Sequence, residues 1–519
     1  MLGTATFARH ADTARAPLSG RALSRRARML AGCAGAMALA ASSAHAATVL
    51  IPGNLVVSVE GNGVMGATSG SFTDNQAAPL SLFDFAQNGT TSATYQGALV
   101  LPQTASGANS AISGEYGSSS EGTLQLSGNG KYLTIMGYGV NAAAFNANPT
   151  AFGTTTTGST KATALGQSGS LTGQGYTTVP RVVALIGANG SVNTTTALTG
   201  VFNGNNPRSA YTVDGTSFYV SGQGTGSDAT GGVFFATLGA KSAAPITGLD
   251  TTNQTLSQDT RVVQVFNNQL YVSVDSKGGK NSARSFIGTL GAPGALPTSL
   301  TNNAGSPPGG SNGPTMLPGF GNTGGTGKLT VNALTTNGIN TIGEMVNLSP
   351  EDYFFANATT LYVADSGNPK NDSTVSSGTS VGDGGLQKWV FNGKTWNLDY
   401  TLSAGLNLVA NTSAAGTTGL FGLTGEVVGN SVELYATNAT VGDTDPTFLF
   451  GLTDSLSASA PATGEAFTQL AAAPADSNFK GVAFAPVPEP ASWAMMLMGF
   501  GGLGGLLRSA RRRQAMLAG

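Results

Sequence analysis

The sequence predicts an all-β fold of repeated antiparallel hairpins, and three observations support this prediction. The chain of 519 residues contains 75 glycines, and only 10% of its residues are charged. Hydrophobic residues make up 40% of the chain, with many short runs of Val, Leu, Phe and Tyr, whereas disordered chains usually combine low hydrophobicity with high charge. The third observation is an internal repeat. Together these features favour short strands joined by extended loops.

The repeat consists of a short strand, a turn and an aliphatic-Tyr-Val strand. The segment SAYTVDGTSFYVS (209–221) aligns without gaps with RVVQVFNNQLYVS (261–273) at an offset of 52, and the same offset pairs FFATLGA (234–240) with FIGTLGA (286–292). Looser copies occupy 124–137, 352–366 and 425–438, and a fragment occupies 54–63. Because the Tyr-Val strand is mostly apolar, we expect it to be buried on both faces.

Each copy is predicted to be a hairpin that forms half of a larger sheet. The turn pairs Asp214-Gly215, Asn267-Asn268 and Gly429-Asn430 tolerate the positive φ angles of tight hairpins. Three or four strands that recur about every 50 to 90 residues are typical of β-propeller blades. The roughly 440 residues of the body would form seven blades of about 60 residues each. A β-solenoid is the main alternative, although it predicts shorter and stricter periods. A chain of β-sandwiches is a further alternative.

The two ends of the body are expected to complete one blade together. The segment FKGVAFAP (479–486) is a single strand with no hairpin partner after it, and VLIPGNLVVSV (49–59) is a strand near the other end. Many propellers close their ring by pairing strands from the two termini. We therefore predict that these two segments pair.

The N-terminus resembles a secretory signal peptide. A stretch rich in arginine precedes a mildly apolar run from Met29 to Ala41, and Ala44-His45-Ala46 follows with the small residues that signal peptidase accepts. We predict a signal peptide over 1–46, cleaved after Ala46. The general secretion route and the twin-arginine route both remain open.

The C-terminus carries three features in a fixed order. A rigid motif, Val487-Pro488-Glu489-Pro490, is followed by an uncharged run from Ala491 to Leu507 that includes Trp493. At about 1.5 Å per residue its 17 residues form a helix of about 25 Å, slightly shorter than the hydrocarbon core of about 30 Å. A basic end follows, and basic flanks stay on the cytoplasmic side of a membrane. Its arginines are Arg508, Arg511, Arg512 and Arg513.

This three-part tail resembles the PEP-CTERM sorting signal of Gram-negative bacteria. The resemblance implies an inner-membrane intermediate, processing by an exosortase, and delivery to the cell surface or the exopolysaccharide matrix. It implies no catalytic activity. The predicted organisation is a signal peptide (1–46), a propeller body (47–486), a sorting signal with a transmembrane helix (487–513) and a short tail (514–519).

Charge and residue types exclude several functions for the body. Residues 47–486 hold 14 basic and 24 acidic residues, a net charge of −10, which argues against nucleic acid or anionic membrane partners. Cys33, His10 and His45 are the only cysteine and histidines, and all lie in the predicted signal peptide. The mature body therefore has no disulfide, no Cys or His nucleophilic machinery and no zinc site with nitrogen or sulfur ligands.

Several loops place Asp beside Asn and Gly. No cofactor is expected, but such loops suit either ordinary turns or a structural Ca²⁺ ion, which takes six to eight oxygen ligands. Both interpretations stay open here. The candidate calcium ligands are Asp365, Asp372, Asp383, Asp443 and Asp445.

Two further sets of residues could act on or bind glycans. Paired carboxylates are the one common hydrolytic machinery that needs neither His nor Cys. Trp389 and Trp396 flank an Asn-Gly turn and could either pack in the core or stack on sugar rings. The carboxylate pairs are Glu351-Asp352, Asp443-Asp445 and Glu426/Glu433.

These observations favour an exported, non-enzymatic surface or matrix protein with a structural or binding role, associated with exopolysaccharide. One alternative is a carboxylate-dependent glycan hydrolase or lyase. Another is an adhesin stiffened by calcium. The expected processing enzymes are signal peptidase and an exosortase.

Overall fold

The computed structural model describes residues 50–154, 163–225, 229–247, 259–276, 284–300, 313–320, 328–330, 345–367, 384–410 and 412–488. The chain divides into two compact regions, Met1–Ala47 and Thr48–Gly519, and every described residue belongs to the second region. The predicted signal peptide, including Ala44 and Ala46, lies outside the described residues.

The described residues form six four-stranded antiparallel sheet units and a separate two-stranded sheet. The strands of the first half are β1 (Leu55–Gly61), β2 (Ala77–Asn88), β3 (Ser92–Val100), β4 (Ser113–Glu115), β5 (Gln125–Leu126), β6 (Tyr132–Tyr138), β7 (Arg181–Gly187), β8 (Val192–Leu198), β9 (Pro207–Tyr211), β10 (Ser217–Gly222), β11 (Gly232–Thr237) and β12 (Ala244–Pro245).

The second half continues the same pattern of short strands. Its strands are β13 (Thr260–Phe266), β14 (Gln269–Ser276), β15 (Arg284–Leu290), β16 (Thr315–Met316), β17 (Lys328–Thr330), β18 (Met345–Asn347), β19 (Pro350–Asn357), β20 (Thr360–Asp365), β21 (Gly385–Phe391), β22 (Trp396–Leu402), β23 (Thr417–Val428), β24 (Ser431–Thr440), β25 (Phe448–Ser455), β26 (Thr468–Ala472) and β27 (Ser477–Phe484).

Four units contain consecutive strands, in the orders β9 to β12, β13 to β16, β19 to β22 and β23 to β26. The other two units are β27-β1-β2-β3 and β5-β6-β7-β8. They are joined into a nine-stranded sheet because β4 pairs with both β2 and β6. All strand pairs in the described part of the chain are antiparallel, which disagrees with a solenoid of parallel coils.

The repeated hairpins form as predicted. The pairs β5–β6, β9–β10, β13–β14, β19–β20 and β23–β24 each correspond to one copy of the repeat. Asn267 and Asn268 have φ of 47° and 57°, the left-handed conformation that a tight hairpin turn requires. The Tyr-Val strand β20 is buried along its whole length, as expected for a strand covered on both faces.

The first strands of the units form a closed ring. We call β5, β9, β13, β19, β23 and β27 the inner strands, because each contacts the inner strand of the next unit and β27 contacts β5. The fold is therefore an all-β, propeller-like ring. The predicted count of seven blades is not confirmed. Six four-stranded units are present among the described residues, and long connections between strands take up residues that the prediction assigned to blades. One of them joins β6 to β7 through the short helix α1 (Ala142–Ala147).

The ring is closed by the two ends of the body, as the sequence predicts. Strand β27 pairs antiparallel with β1, with Leu55 opposite Phe484 and Val57 opposite Val482. Strand β1 pairs on its other side with β2. One unit thus contains strands from both ends of the body, so neither terminal strand can dissociate without disrupting that sheet.

Neighbouring units share their apolar faces. The largest buried cluster contains Val262 of β13, Leu361 of β20, Trp389 of β21 and Leu434 of β24, which belong to three units. Each such side chain contributes about 1.5–3 kcal/mol when it is fully buried. Because the core lies between units, no unit is expected to be stable alone.

The predicted transmembrane helix over 491–507 lies outside the described residues. Within the part of the chain that the structure describes, no helix is long and apolar enough to span a bilayer.

Candidate functional site

The inner strands give the ring two chemically different ends. Near their starts lie charged side chains, including Arg208, Arg261, Glu351 and Lys480, and we call this the polar end. Apolar and aromatic side chains lie towards the C-terminal ends of these strands, and we call this the aromatic end. Its rings belong to Tyr211, Phe266, Tyr353, Phe354, Phe355 and Phe484.

At the polar end, ion pairs connect three inner strands. Arg208 of β9 pairs with Asp259, which directly precedes β13. Arg261 of β13 places Nη1 3.1 Å from Oε2 of Glu351 on β19 and Nη2 3.0 Å from Oδ2 of Asp275 on β14. Burial opposes the charge of Arg261, but Glu351, Asp259 and Asp275 outweigh it and raise the pKa of its guanidinium. These charges therefore compensate one another and hold adjacent units in register.

A second buried group of charges lies where the ring closes. Lys480 of β27 places Nζ 3.8 Å from Oε2 of Glu60 on β1. Glu121 accepts hydrogen bonds from the Tyr138 hydroxyl and the Asn206 amide. Burial raises the pKa of Glu60 to about 8, against the attraction of Lys480 and with the help of repulsion from Glu121. Burial also raises the pKa of Glu121.

The cavity at the polar end is small. Its volume is about 40 Å³, and Arg261, Glu351, Asp443 and Lys480 are among its lining residues. A site needs roughly 10–15 Å³ of such volume for each water molecule. This cavity therefore has room for a few water molecules.

The cavity at the aromatic end is larger and is built by the whole ring. It has a volume of about 220 Å³, and every inner strand contributes to its wall. The side chains of Phe266, Phe354 and Phe484 are half-buried at this end. Gln125 and Gln264 lie in the same wall, and the Gln264 amide donates to Oε1 of Gln125 at 3.0 Å.

The candidate calcium ligands are dispersed. Asp365 is fully buried at the end of β20, and its carboxylate accepts hydrogen bonds from the backbone amides of Ser349 and Gly367 and from Gln387. Asp445 accepts from the backbone amides of Gly416 and Gly442 at 2.8 Å each. Both carboxylates therefore stabilise loops.

Asp443 lines the polar cavity, while Asp372 and Asp383 lie outside the described residues. Among the residues whose positions the structure gives, no three His, Cys, Asp or Glu side chains are grouped so that they could hold a metal ion.

The candidate carboxylate pairs are also engaged in local contacts. Glu351 pairs with Arg261, whereas the neighbouring Asp352 accepts from the backbone amides of Leu423 (2.9 Å) and Tyr353 (2.8 Å). Burial raises the pKa of Asp352 to about 7, although those two amides oppose the rise. Glu426 and Glu433 lie opposite each other on β23 and β24, and the Tyr435 hydroxyl donates to Glu433 at 2.9 Å.

The two tryptophans of the Asn-Gly hairpin belong to the core. Trp389 and Trp396 are both buried, and the ring of Phe320 stacks on Trp389 with centroids 3.8 Å apart. Of the two interpretations left open by the sequence, core packing is the one observed.

Sequence reasoning missed both ends of the ring as sites. The aromatic residues are visible in the repeats, in YTV, VQVF and DYFFAN, but the predicted hairpins and blades do not by themselves show that these side chains line one cavity. The signal that could have found them is that four of the six inner strands, β9, β13, β19 and β27, carry an aromatic residue in their second half or at their middle. The buried charges carry no comparable pattern, because their partners are distant in sequence.

The chain leaves the body at the aromatic end. Phe484 lines the aromatic cavity, the amide of Ala485 donates to the Asn54 carbonyl at 2.8 Å, and the amide of Val487 donates to the Gly130 carbonyl at 2.8 Å. Val487 and Pro488 of the predicted motif are thus next to the folded ring. The rest of the predicted tail, from Glu489 and Pro490 through Arg513, lies outside the described residues.

The solved structures that comparison finds share little sequence with this chain. Apo AztD from Citrobacter koseri is 11% identical, with a TM-score of 0.25 over 80% of this chain and 71% of that chain. The β-propeller domain of the trilobed protease from Pyrococcus furiosus is 7% identical, with a TM-score of 0.26 over 75% and 100%. A PL25 ulvan lyase is 10% identical, with a TM-score of 0.30 over 77% and 78%. Likenesses of this size assign no activity to this chain.

No curated protein sequence matches this chain. Its C-terminal residues do match a family model, the PEP-CTERM protein-sorting motif, over 486–513. The match begins two residues after β27 ends and includes the Pro-Glu-Pro motif, the uncharged run and the arginines. Residues 486–513 are therefore a PEP-CTERM sorting signal, which implies processing by an exosortase, export and sorting to the cell surface.

Proposed function

We propose that this chain is a non-enzymatic protein of the bacterial surface or extracellular matrix, with a structural or binding role in association with exopolysaccharide. The sorting signal at 486–513 is the observation that carries the proposal. In this account signal peptidase removes 1–46, the sorting signal holds the body at the inner membrane, and an exosortase processes it.

The chemistry of the body supports a role without catalysis. The sequence after residue 46 contains no Cys and no His. Glu351 is held by Arg261, and Asp352 is held by two backbone amides. Glu351 lines the cavity of about 40 Å³, which has room for a few water molecules, and Asp352 lines neither of the two cavities described above, so this pair is poorly placed to act on a glycan.

Deleting residues 487–519 tests the sorting step. We expect the variant to fold, because β27 ends at Phe484 and remains in place, and to accumulate in the periplasm instead of at the surface. Protease accessibility on intact cells, together with fractionation, measures the distribution.

A matched control replaces Arg511, Arg512 and Arg513 with Lys, which keeps the basic end, and should reach the surface normally. Surface display of the deletion variant at the wild-type level would contradict the proposal.

A further inference from the structure

We propose that the cavity at the aromatic end binds a single neutral sugar ring, such as the terminal residue of a polysaccharide chain. This inference rests on the proposed function, which brings the protein into contact with exopolysaccharide. The site itself is argued from the ring alone.

The size of the cavity favours a small ligand. Pockets for drug-sized molecules typically measure about 300–1,000 Å³, and this cavity measures about 220 Å³. Since all six inner strands line it, its walls belong to the most constrained part of the fold. One six-membered ring with its substituents fits such a volume, whereas the interior of a longer chain does not.

Part of the cavity wall is aromatic and accessible to solvent. Phe266, Phe354 and Phe484 come from three different inner strands and are half-buried. The face of an aromatic ring carries negative potential, and the C–H groups on one face of a sugar ring carry partial positive charge. These rings therefore offer stacking surfaces that suit a pyranose.

The wall also contains a buried donor without a partner. Gln125 is 5% exposed, and its Nε2 makes no hydrogen bond within the described structure. Leaving a buried donor unsatisfied is unfavourable, so a ligand oxygen at this position would be stabilised. Tyr353 lines the same cavity, and burial raises the pKa of its hydroxyl well above the usual value, so it stays neutral.

The absence of charge selects for a neutral ligand. No Asp, Glu, Lys or Arg is among the described residues that line this cavity. A charged sugar would lose its hydration there without gaining a counter-charge, which is strongly unfavourable. The polar groups that remain are amides and hydroxyls, which match the hydroxyls of a neutral sugar.

Calorimetric titration of the purified exported chain tests the site. The probes are D-glucose, D-galactose, D-mannose and N-acetyl-D-glucosamine, with D-glucuronate as the charged counterpart. We expect at least one neutral sugar to bind with a dissociation constant of about 1 mM and glucuronate to bind at least about tenfold more weakly.

Two variants locate the binding. Gln125→Leu removes the free donor, and Phe354→Ala removes a half-buried ring of the cavity wall, so each should weaken binding at least about fivefold. Phe391→Ala, a half-buried ring on β21 outside the cavity, should bind as the wild type does. The melting temperature of each variant shows whether it is folded.

Three results would overturn the inference. They are no heat of binding with any neutral probe at millimolar concentrations, equal affinity for glucuronate, or unchanged affinity in both cavity variants. None of them alters the distribution of the tail deletion, so failure of this site is distinguishable from failure of the sorting proposal.

Discussion

Glu60 shows how the ring closure places a carboxyl in an unfavourable environment. Both of its oxygens lack a hydrogen-bond partner within the described residues, and Lys480 Nζ lies 3.8 Å away. Burial dominates and raises the pKa of this carboxyl to about 8. The group therefore holds its proton in the folded protein at pH values where the unfolded chain releases it.

Glu60→Gln should reduce the pH dependence of the free energy of unfolding. A raised carboxyl pKa stabilises the fold fully below the unfolded value of about 4.5, and this contribution is lost as the pH rises to the folded value of about 8. Wild-type stability should thus fall between about pH 5 and pH 8 more steeply than that of the variant. Urea unfolding across this range measures the slopes.

Glu426→Gln, at an exposed carboxyl on β23, is the control and should keep the wild-type slope. If the free energy of unfolding falls with pH equally steeply in the wild type and in Glu60→Gln, the pKa of Glu60 is not raised by folding. Some slope should remain in the variant, because burial also raises the pKa of Asp352 to about 7.

At the residue scale the sequence predicts turn chemistry better than buried charge. Asn267 and Asn268 are recognisable as turn residues from their position between two strands. Lys388 and Asp454 form a fully buried ion pair of 3.0 Å between β21 and β25, and nothing in the local sequence of either residue indicates it. Such a pair depends on which faces of two units meet, and this is a property of tertiary packing.

At the scale of elements, the strands that repeat are the ones that could be predicted. Hairpins such as β13–β14 carry their own signal, with alternating apolar residues around a turn. The connection between β6 and β7 does not repeat, and its helix α1 has only six residues. The short strand β4 could not be predicted either, since its three residues pair with β2 and β6 from different units.

The pairing of β1 with β27 can be tested by an engineered disulfide. Val57 and Val482 are opposite each other in the register of these strands, and directly opposed residues have Cα separations of about 4.5–5.5 Å, within the range of disulfides. Val57→Cys/Val482→Cys should therefore oxidise during export and raise the melting temperature. Because the bond would enclose most of the body, the chain-entropy model gives about 6 kcal/mol, slightly more than the largest contribution of about 5 kcal/mol that disulfides usually make.

Thiol titration and melting with and without reductant provide the measurement. The control is Val57→Cys/Val220→Cys, whose second position lies on β10 in another unit, so its thiols should remain free in the folded state. Free thiols in the folded Val57/Val482 variant would mean that the two strands do not close the ring.

At the scale of the whole molecule, the order of segments in the chain explains the position of the sorting signal. The inner strand β27 completes the ring, and the matched motif begins two residues later. The propeller-like arrangement could be predicted from the repeats and the unpaired last strand. The number of units could not, because a mean repeat length takes no account of long connections.

The same geometry places the aromatic cavity beside the tail. Phe484 lines the cavity, and only six residues separate it from the uncharged run that starts at Ala491. Fully extended, six residues span at most about 20 Å. An intact tail in the membrane would therefore keep this end of the ring close to the bilayer.

The intact mass of the protein collected from the cell surface shows whether both ends of the chain are removed during export and sorting. If both ends serve export and sorting as proposed, the surface protein begins at Ala47 and has lost the arginine cluster Arg511–Arg513. Surface protein with the full mass of 51.8 kDa, and therefore with both ends still attached, would contradict the proposal.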